Sequence, residues 1–271
     1  MGKTILVLLD ACRFDAASDT AGYLEHLISV GLGAKYKVRG ELPSMSRPMY
    51  ETSLTGLPAH VHGVVDNNVV RRSRCQSVFD LCRENGLTTA TAAYFWMAEL
   101  YSKAPFDFLN HRYLVNGTGA IQNGIFYFED QYPDSHLFLD GEFLRKTYEP
   151  DFLLLHSMNI DYMGHIHGGG SKEYMNAARS AAEFLARLLP GWLEDGYHVV
   201  ITADHGMGSM GYHGGPGDEQ RVVPLYLLGT DAAAGDYTHH LISQLNLAPL
   251  LCRLLEITPA GGMMQKLEVK F

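Results

Sequence analysis

His198-Val199-Val200-Ile201-Thr202-Ala203-Asp204-His205-Gly206-Met207 is an apolar run that stops on an adjacent carboxylate and imidazole, and His213 follows eight residues after His205. A strand buried in a core gains nothing by ending on two ionisable groups. At the C-terminal edge of a parallel sheet, where open α/β folds place their sites, such a pair is presented to a ligand or a metal. The construction occurs twice more. Ile5-Leu6-Val7-Leu8-Leu9 ends on Asp10, and Phe152-Leu153-Leu154-Leu155 leads to Asp161-Tyr162-Met163-Gly164-His165. Three strands that each deliver Asp or His just past their ends predict one polar, metal-containing site.

Outward from these strands the chain alternates strand and helix patterns. This is the mark of an α/β fold with a mainly parallel, doubly wound sheet and helices on both faces. The expected elements are a strand over 4–9, helices over 19–30, 46–54 and 76–84, and a strand over 88–94. Ser171 reads as the cap of a helix that ends at Pro190, and Gly56 as the stop of the helix that starts at Ser46. Residues 222–228 read as a strand that Pro224 places at an edge, and residues 247–255 as a closing helix. Residues 95–132 are rich in aromatics without a period and are expected to form a small irregular lid. The whole of 1–271 is expected to be one domain.

Composition narrows the partners. The 271 residues are 46% hydrophobic and 19% charged, ordinary values for a globular chain with a large core. A formal net charge of −9 without a basic run argues against a nucleic-acid polymer and leaves room for a small anionic substrate beside bound cations. The four cysteines form no CxxC pair, which reads as reduced thiols. No stretch has signal-peptide or membrane-spanning character, so no membrane partner and a cytoplasmic location are expected.

Asp161 and His165, four residues apart, can converge on one ion, with Gly164 allowing the backbone to bend. With Asp10, Asp204, His205 and His213 they make six oxygen and nitrogen donors, enough for two divalent ions with open positions. One further stretch, Ser46-Arg47-Pro48, is followed by Thr55-Gly56-Leu57 and His62-Gly63. These segments, taken with Asp161-x-x-Gly164-His165, Asp204-His205-Gly206-Met207 and His213 in that order, resemble the nucleotide pyrophosphatase/phosphodiesterase branch of the alkaline phosphatase superfamily over almost the whole chain. The resemblance implies a two-metal phosphohydrolase that cleaves phosphodiester or nucleotide pyrophosphate bonds in a small substrate. It implies Asp161, His165 and His213 on one ion, and Asp10, Ser46, Asp204 and His205 on the other. The ions would be zinc, with manganese as the alternative, and Ser46 would be the nucleophile of a phosphoseryl intermediate. A serine hydroxyl is a weak nucleophile at its own pKa and needs such activation.

The chain departs from the family pattern at Met49, where an Asn is expected to hold a phosphoryl oxygen; Arg47, Lys103 or Asn67 are the candidates to replace it. Ser44 is the rival nucleophile, but it lacks the x-Pro context of Ser46. The alternatives within the superfamily are a phosphomonoesterase, a sulfatase and a phosphomutase, and outside enzymes a metal-binding relative without turnover. A sulfatase motif would continue with Arg where the chain has Tyr50. Among the remaining residues, His62 is expected to support its loop, Asp15 to cap a helix, and His156, His167, His239 and His240 to be ordinary core or surface groups.

Overall fold

In the computed structural model, which describes residues 2–271, the run that ends at Asp10 is the central strand β1 (Lys3–Leu9). It is followed by α1 (Phe14–Thr20), α2 (Gly22–Ser29), β2 (Gly33–Arg39), α3 (Ser46–Thr55), α4 (Ala59–His62), α5 (Val78–Glu84) and β3 (Thr89–Tyr94). The middle of the chain forms α6 (Phe95–Tyr101), β4 (Tyr113–Leu114), β5 (Asn123–Tyr127), α7 (Asp134–Tyr148) and β6 (Phe152–Ser157). The remainder forms α8 (Asn159–His167), α9 (Lys172–Glu194), β7 (Tyr197–Thr202), α10 (Asp218–Arg221), β8 (Val222–Leu228), β9 (Gly235–Ser243) and α11 (Leu247–Leu254).

The strands make one nine-stranded sheet in the order β4-β5-β3-β6-β1-β7-β8-β2-β9. β5, β3, β6, β1 and β7 run parallel, which accounts for their nearly unbroken apolar sequences: strands covered on both faces have no solvent side to alternate toward. Leu6 sits opposite Leu154 on one side and Val200 on the other, and all three are fully buried. The sheet is nonetheless mixed, because β8 runs antiparallel to both β7 and β2, and β4 antiparallel to β5. The helices pack as two separate groups, one formed by α1, α2, α7, α8 and α9, the other by α3, α4, α5, α6 and α11. β6, β1 and β7 are neighbours, so their C-terminal ends bring residues 10, 158–165 and 204–205 to one edge. β2, parallel to β7 across the reversed β8, delivers Ser46 to the same edge.

Several expectations need correction. Pro224 does not mark an edge: β8 lies inside the sheet, Pro224 pairs with Lys37, and its carbonyl accepts a 2.6 Å bond from the Thr202 hydroxyl. The expected helix over 19–30 is two helices, broken at Ala21. The helix capped by Ser171 runs past Pro190 to Glu194. Pro190 is exposed, so water can reach the carbonyl its missing N–H leaves, while buried Leu189 and Trp192 carry the helix on. Residues 95–132 are irregular in part only, since α6 and the sheet strands β4 and β5 lie within them. β2 and β9 have no counterpart among the expected strands. Lys35 and Lys37 hide the apolar rhythm of β2, and the buried Lys35 is held by Glu25 at 2.7 Å and Ser18 at 2.9 Å.

The segment leaving β7 is packed tightly enough to test. A Cβ on Gly206 would lie 2.2 Å from the carbonyl oxygen of Glu219, a backbone atom that cannot step aside. Gly206→Ala should therefore lower unfolding free energy by about 2 kcal/mol or more in urea titrations, and an unchanged midpoint would show that the two segments are not in contact.

Candidate active site and metal centre

Three carboxylates meet where β1, β6 and β7 end. Asp10 and Asp204 are fully buried, and Asp161, in the first turn of α8, is nearly so. Asp10 Oδ1 lies 3.3 Å from His205 Nε2, and Asp204 Oδ2 also lies 3.3 Å from that nitrogen. His165, one turn along α8 from Asp161, places Nε2 3.2 Å from Asp161 Oδ2 and 3.2 Å from His213 Nε2. His213 Nε2 lies 3.6 Å from Asp161 Oδ1, and its ring stacks on His205 at 3.9 Å. The six residues singled out as metal donors are thus brought together. Gly164 serves close packing rather than bending, as a Cβ there would lie 2.8 Å from Met207 Cγ.

The donor atoms are presented in the form a cation requires. Each histidine gives Nδ1–H to a backbone carbonyl: His165 to Gly211 at 2.8 Å, His205 to Gly206 at 2.9 Å, and His213 to Ser44 at 3.0 Å. A carbonyl can only accept, so the neutral rings carry their free lone pair on Nε2, which faces the carboxylates. Asp10 Oδ1, Asp161 Oδ1 and Asp204 Oδ2 are buried and have no hydrogen-bond partner. Buried, unpartnered carboxylate oxygens carry a large desolvation penalty unless a cation completes them. Two clusters, Asp10–Asp204–His205 and Asp161–His205–His213, hold their donor atoms close enough for a metal ion. The mixed oxygen and nitrogen set suits zinc or manganese.

The electrostatics record the same crowding. Burial, and then the Asp10 charge, push Asp204 well above the usual carboxylate range and raise Asp161. Asp10 ends lowered: burial opposes its charge, but the His156 hydrogen bond and the charges of His205 and His156 outweigh it. The bond to Asp161 raises His165 to about 9 against the opposing effect of burial. Burial, with the neighbouring charge of His205, holds His213 down to about 3.

Ser46 is the first residue of α3, and its Oγ lies 3.0 Å from His205 Nε2. It lines a cavity of about 130 Å³ with Asp161, His165 and His213. Asn67, Tyr94, Trp96, Asp130 and Met158 complete the lining. Ser44 is occupied elsewhere: its hydroxyl donates to Gly215 O at 2.8 Å and accepts from Gly214 N–H at 3.2 Å, fastening the His213 loop. Met49 is wholly buried and outside the cavity wall. Arg47 is buried too, with Nη1 2.8 Å from Glu99 Oε2 and its guanidinium 4.7 Å from the Trp96 ring centre. Of the three candidates to replace the missing Asn, only Asn67 reaches the cavity. Its Oδ1 accepts the Arg47 N–H at 3.0 Å.

Two contributors were not legible beforehand. His156, expected to be an ordinary core residue, places Nε2 3.1 Å from Asp10 Oδ2, and the Tyr50 hydroxyl donates to the same oxygen. His156 sits inside β6, one residue from the end of the apolar run, and a histidine in a wholly buried strand was the available signal. His62 does support its loop, through Thr52 Oγ1 at 3.0 Å and the Val64 N–H at 3.1 Å, and burial holds it down to about 4. Asp15 does not cap α1: Arg13 holds the N-cap position, and Asp15 lies inside the first turn, where its Oδ1 accepts the Ala16 N–H at 3.0 Å; His167 is exposed.

Residues 4–219 match the family described as Type I phosphodiesterase / nucleotide pyrophosphatase, and the chain belongs to it. Venom phosphodiesterase 2 of Crotalus adamanteus is 28% identical over 222 residues, covering 69% of this chain and 25% of that protein. The catalytic subunit of human GPI ethanolamine phosphate transferase 2 is 25% identical over 261 residues, covering 88% of this chain and 24% of that protein. The chain therefore spans about a quarter of the length of these curated relatives. Among solved structures, murine ectonucleotide pyrophosphatase / phosphodiesterase 5 superposes with a TM-score of 0.73 at 13% identity, covering 95% of this chain and 96% of that one. A 2-O glycosaminoglycan sulfatase, BT1596, superposes at 0.67 with 16% identity, covering 96% and 72%. These two likenesses are of fold.

Two outcomes follow from the donor geometry. Zinc or manganese should raise the melting temperature of chelator-treated protein. The rise should grow from about pH 6 to about pH 8, because ligands that hold protons in the free protein must release them. A metal-independent melting curve would remove the metal centre. Tyr50→Phe, which strips one hydrogen bond from Asp10 Oδ2, should weaken zinc binding in calorimetric titration by roughly tenfold or more.

Proposed function

We propose that the chain is a metal-dependent phosphodiester hydrolase acting through a phosphoseryl intermediate on Ser46. The observation that carries this reading is the Ser46 hydroxyl at a helix N-terminus, 3.0 Å from His205 Nε2 and beside three buried carboxylates with unpartnered oxygens. The metal donors would be Asp161, His165 and His213 on one side and Asp10, Ser46, Asp204 and His205 on the other. When bound, divalent cations would favour the ionised Ser46 hydroxyl and offset the phosphoryl charge. Ser46 Oγ forms the new bond to phosphorus as the ester oxygen leaves; water then cleaves the phosphoseryl bond and frees the serine. Asn67, turned by its bond from the Arg47 N–H, offers its amide NH₂ to a phosphoryl oxygen.

A diester suits the cavity better than a monoester, because no Lys or Arg lines its wall. A monoester dianion is ordinarily met by such a cationic clamp. The family name and the venom phosphodiesterase similarity support the same preference.

Ser46→Ala should lower hydrolysis of bis(p-nitrophenyl) phosphate by about a thousandfold or more, with the melting temperature largely retained. Rapid acid quench of the wild-type protein should yield phosphoserine at residue 46 by mass spectrometry. Full activity of Ser46→Ala, or a formylglycine at that position, would overturn the assignment. A tenfold preference for the monoester would replace the diesterase reading with a monoesterase.

A further inference from the structure

Exposed apolar side chains stand beside four of the residues that line the cavity. Val65 and Val70 flank Asn67 in the loop after α4. Exposed Phe108, next to exposed Leu109, packs on Phe128 at 5.6 Å, two residues before Asp130. Ile166 follows His165, and Met210 and Tyr212 precede His213. A single exposed apolar residue is ordinary, but several groups of them around one cavity mark a surface that meets something apolar. One side of this surface is also cationic. Residues 60–74 and 102–116 carry Arg71, Arg72, Arg74, Lys103 and Arg112 against Asp66 and Asp107, in a chain whose formal net charge is −9. The two segments adjoin: the Ser73 N–H donates to Leu100 O at 2.8 Å, and the Arg72 guanidinium donates to Ser102 O. None of the five cations is ion-paired among the described residues. Arg71 and Arg72 donate to backbone carbonyls, and Arg112 lies over the Tyr113 and Phe128 rings at 5.4 and 5.7 Å. The Arg74 and Lys103 side chains are exposed and have no partner among the described residues.

We infer that this face docks on the surface of an anionic phospholipid bilayer. Apolar side chains on separate loops enter the headgroup region singly, while the cations beside them meet lipid phosphates. A protein partner is met by a contiguous apolar centre depleted of charge, whereas here unpaired cations lie among the exposed rings. The acidic remainder of the chain does not prevent docking. Its repulsion is screened beyond about 8 Å at physiological salt, while the cations reach the surface itself. The charge asymmetry also turns the cavity toward the bilayer and the acidic remainder away from it. No helix among the described residues is long and apolar enough to cross a membrane, and docking at a surface needs none. The expectation of no membrane partner rested on the lack of a spanning segment, so surface attachment takes its place. Docking uses neither the metal donors nor Ser46 and is independent of the phosphodiesterase reading.

The test is flotation with vesicles of phosphatidylcholine alone and of equal parts phosphatidylcholine and phosphatidylglycerol. The protein should bind the mixed vesicles at least about tenfold more tightly than the neutral ones, since each basic side chain near an anionic surface strengthens binding by about fivefold. Arg74→Glu combined with Lys103→Glu should remove that preference, and so should raised ionic strength on the wild type, which needs no substitution. Phe108→Ser combined with Leu109→Ser should weaken binding to both vesicles by about tenfold. Leu139→Ser combined with Phe143→Ser, equally exposed on α7 but apart from the cavity lining, should change neither. Ser46→Ala should float like the wild type, so docking and the phosphodiesterase reading fail separately. No flotation with the mixed vesicles, equal binding to both kinds, or an equal loss in the α7 variant would overturn the assignment. Self-association without flotation, abolished by the Phe108 and Leu109 substitutions, would give the face to a second copy of the chain and overturn it as well.

Discussion

Three carboxylates held within the dry edge of a parallel sheet are the constraint around which this molecule is arranged. Asp10 and Asp204 have no exposure, and Asp161 has little. Burial first, and then the nearby Asp10 charge, raise Asp204 and Asp161. The surroundings do not neutralise that charge with Lys or Arg. They supply imidazole nitrogens fixed by backbone carbonyls, and three of the carboxylate oxygens are left without a hydrogen-bond partner. The same imbalance explains why Asp10 is served separately by His156 and Tyr50. With Oδ2 satisfied there, only Oδ1 is left for the shared space.

How much of this could be read in advance depended on where each residue stood relative to an apolar run. Asp10, Asp161, Asp204 and His205 were legible because each follows a strand long enough to be recognised, and parallel strands deliver their ends to one edge. The adjacency of β6, β1 and β7 is a matter of tertiary pairing, which no local pattern encodes. β2 was illegible because Lys35 and Lys37 interrupt it, one buried against Glu25 and the other set over Phe14 at 4.6 Å. β9, Gly235–Ser243, is mostly polar and partly exposed, as an edge strand can be. Asn67 was one guess among three, and what distinguishes it is a loop closing over the N-terminus of α3, a contact across twenty residues of sequence.

The aromatic stretch that looked like a lid has a more specific use. Its rings form a continuous packed series from Tyr94 and Phe95 through Phe106 to Phe126, which binds β3, α6 and β5 to one another. The cavity wall stands on the sheet rather than on a free loop. A wall anchored in this way holds Tyr94 in place, and Tyr94 in turn holds Asp130 through its hydroxyl at 2.7 Å.

Arg47 shows how the start of α3 and that wall are made one unit. A guanidinium next to Ser46 suggests a phosphate clamp, yet its charge is buried against Glu99 of α6 and its face lies on Trp96. A buried ion pair adds little net stability, because desolvation offsets the attraction, but loss of either partner strands an uncompensated charge. Its consequence is therefore geometric. The backbone of Arg47 orients Asn67 while its side chain fixes α6, so one residue couples the start of α3 to both Asn67 and the aromatic wall. With Arg47 committed in this way, no Lys or Arg side chain lines the cavity.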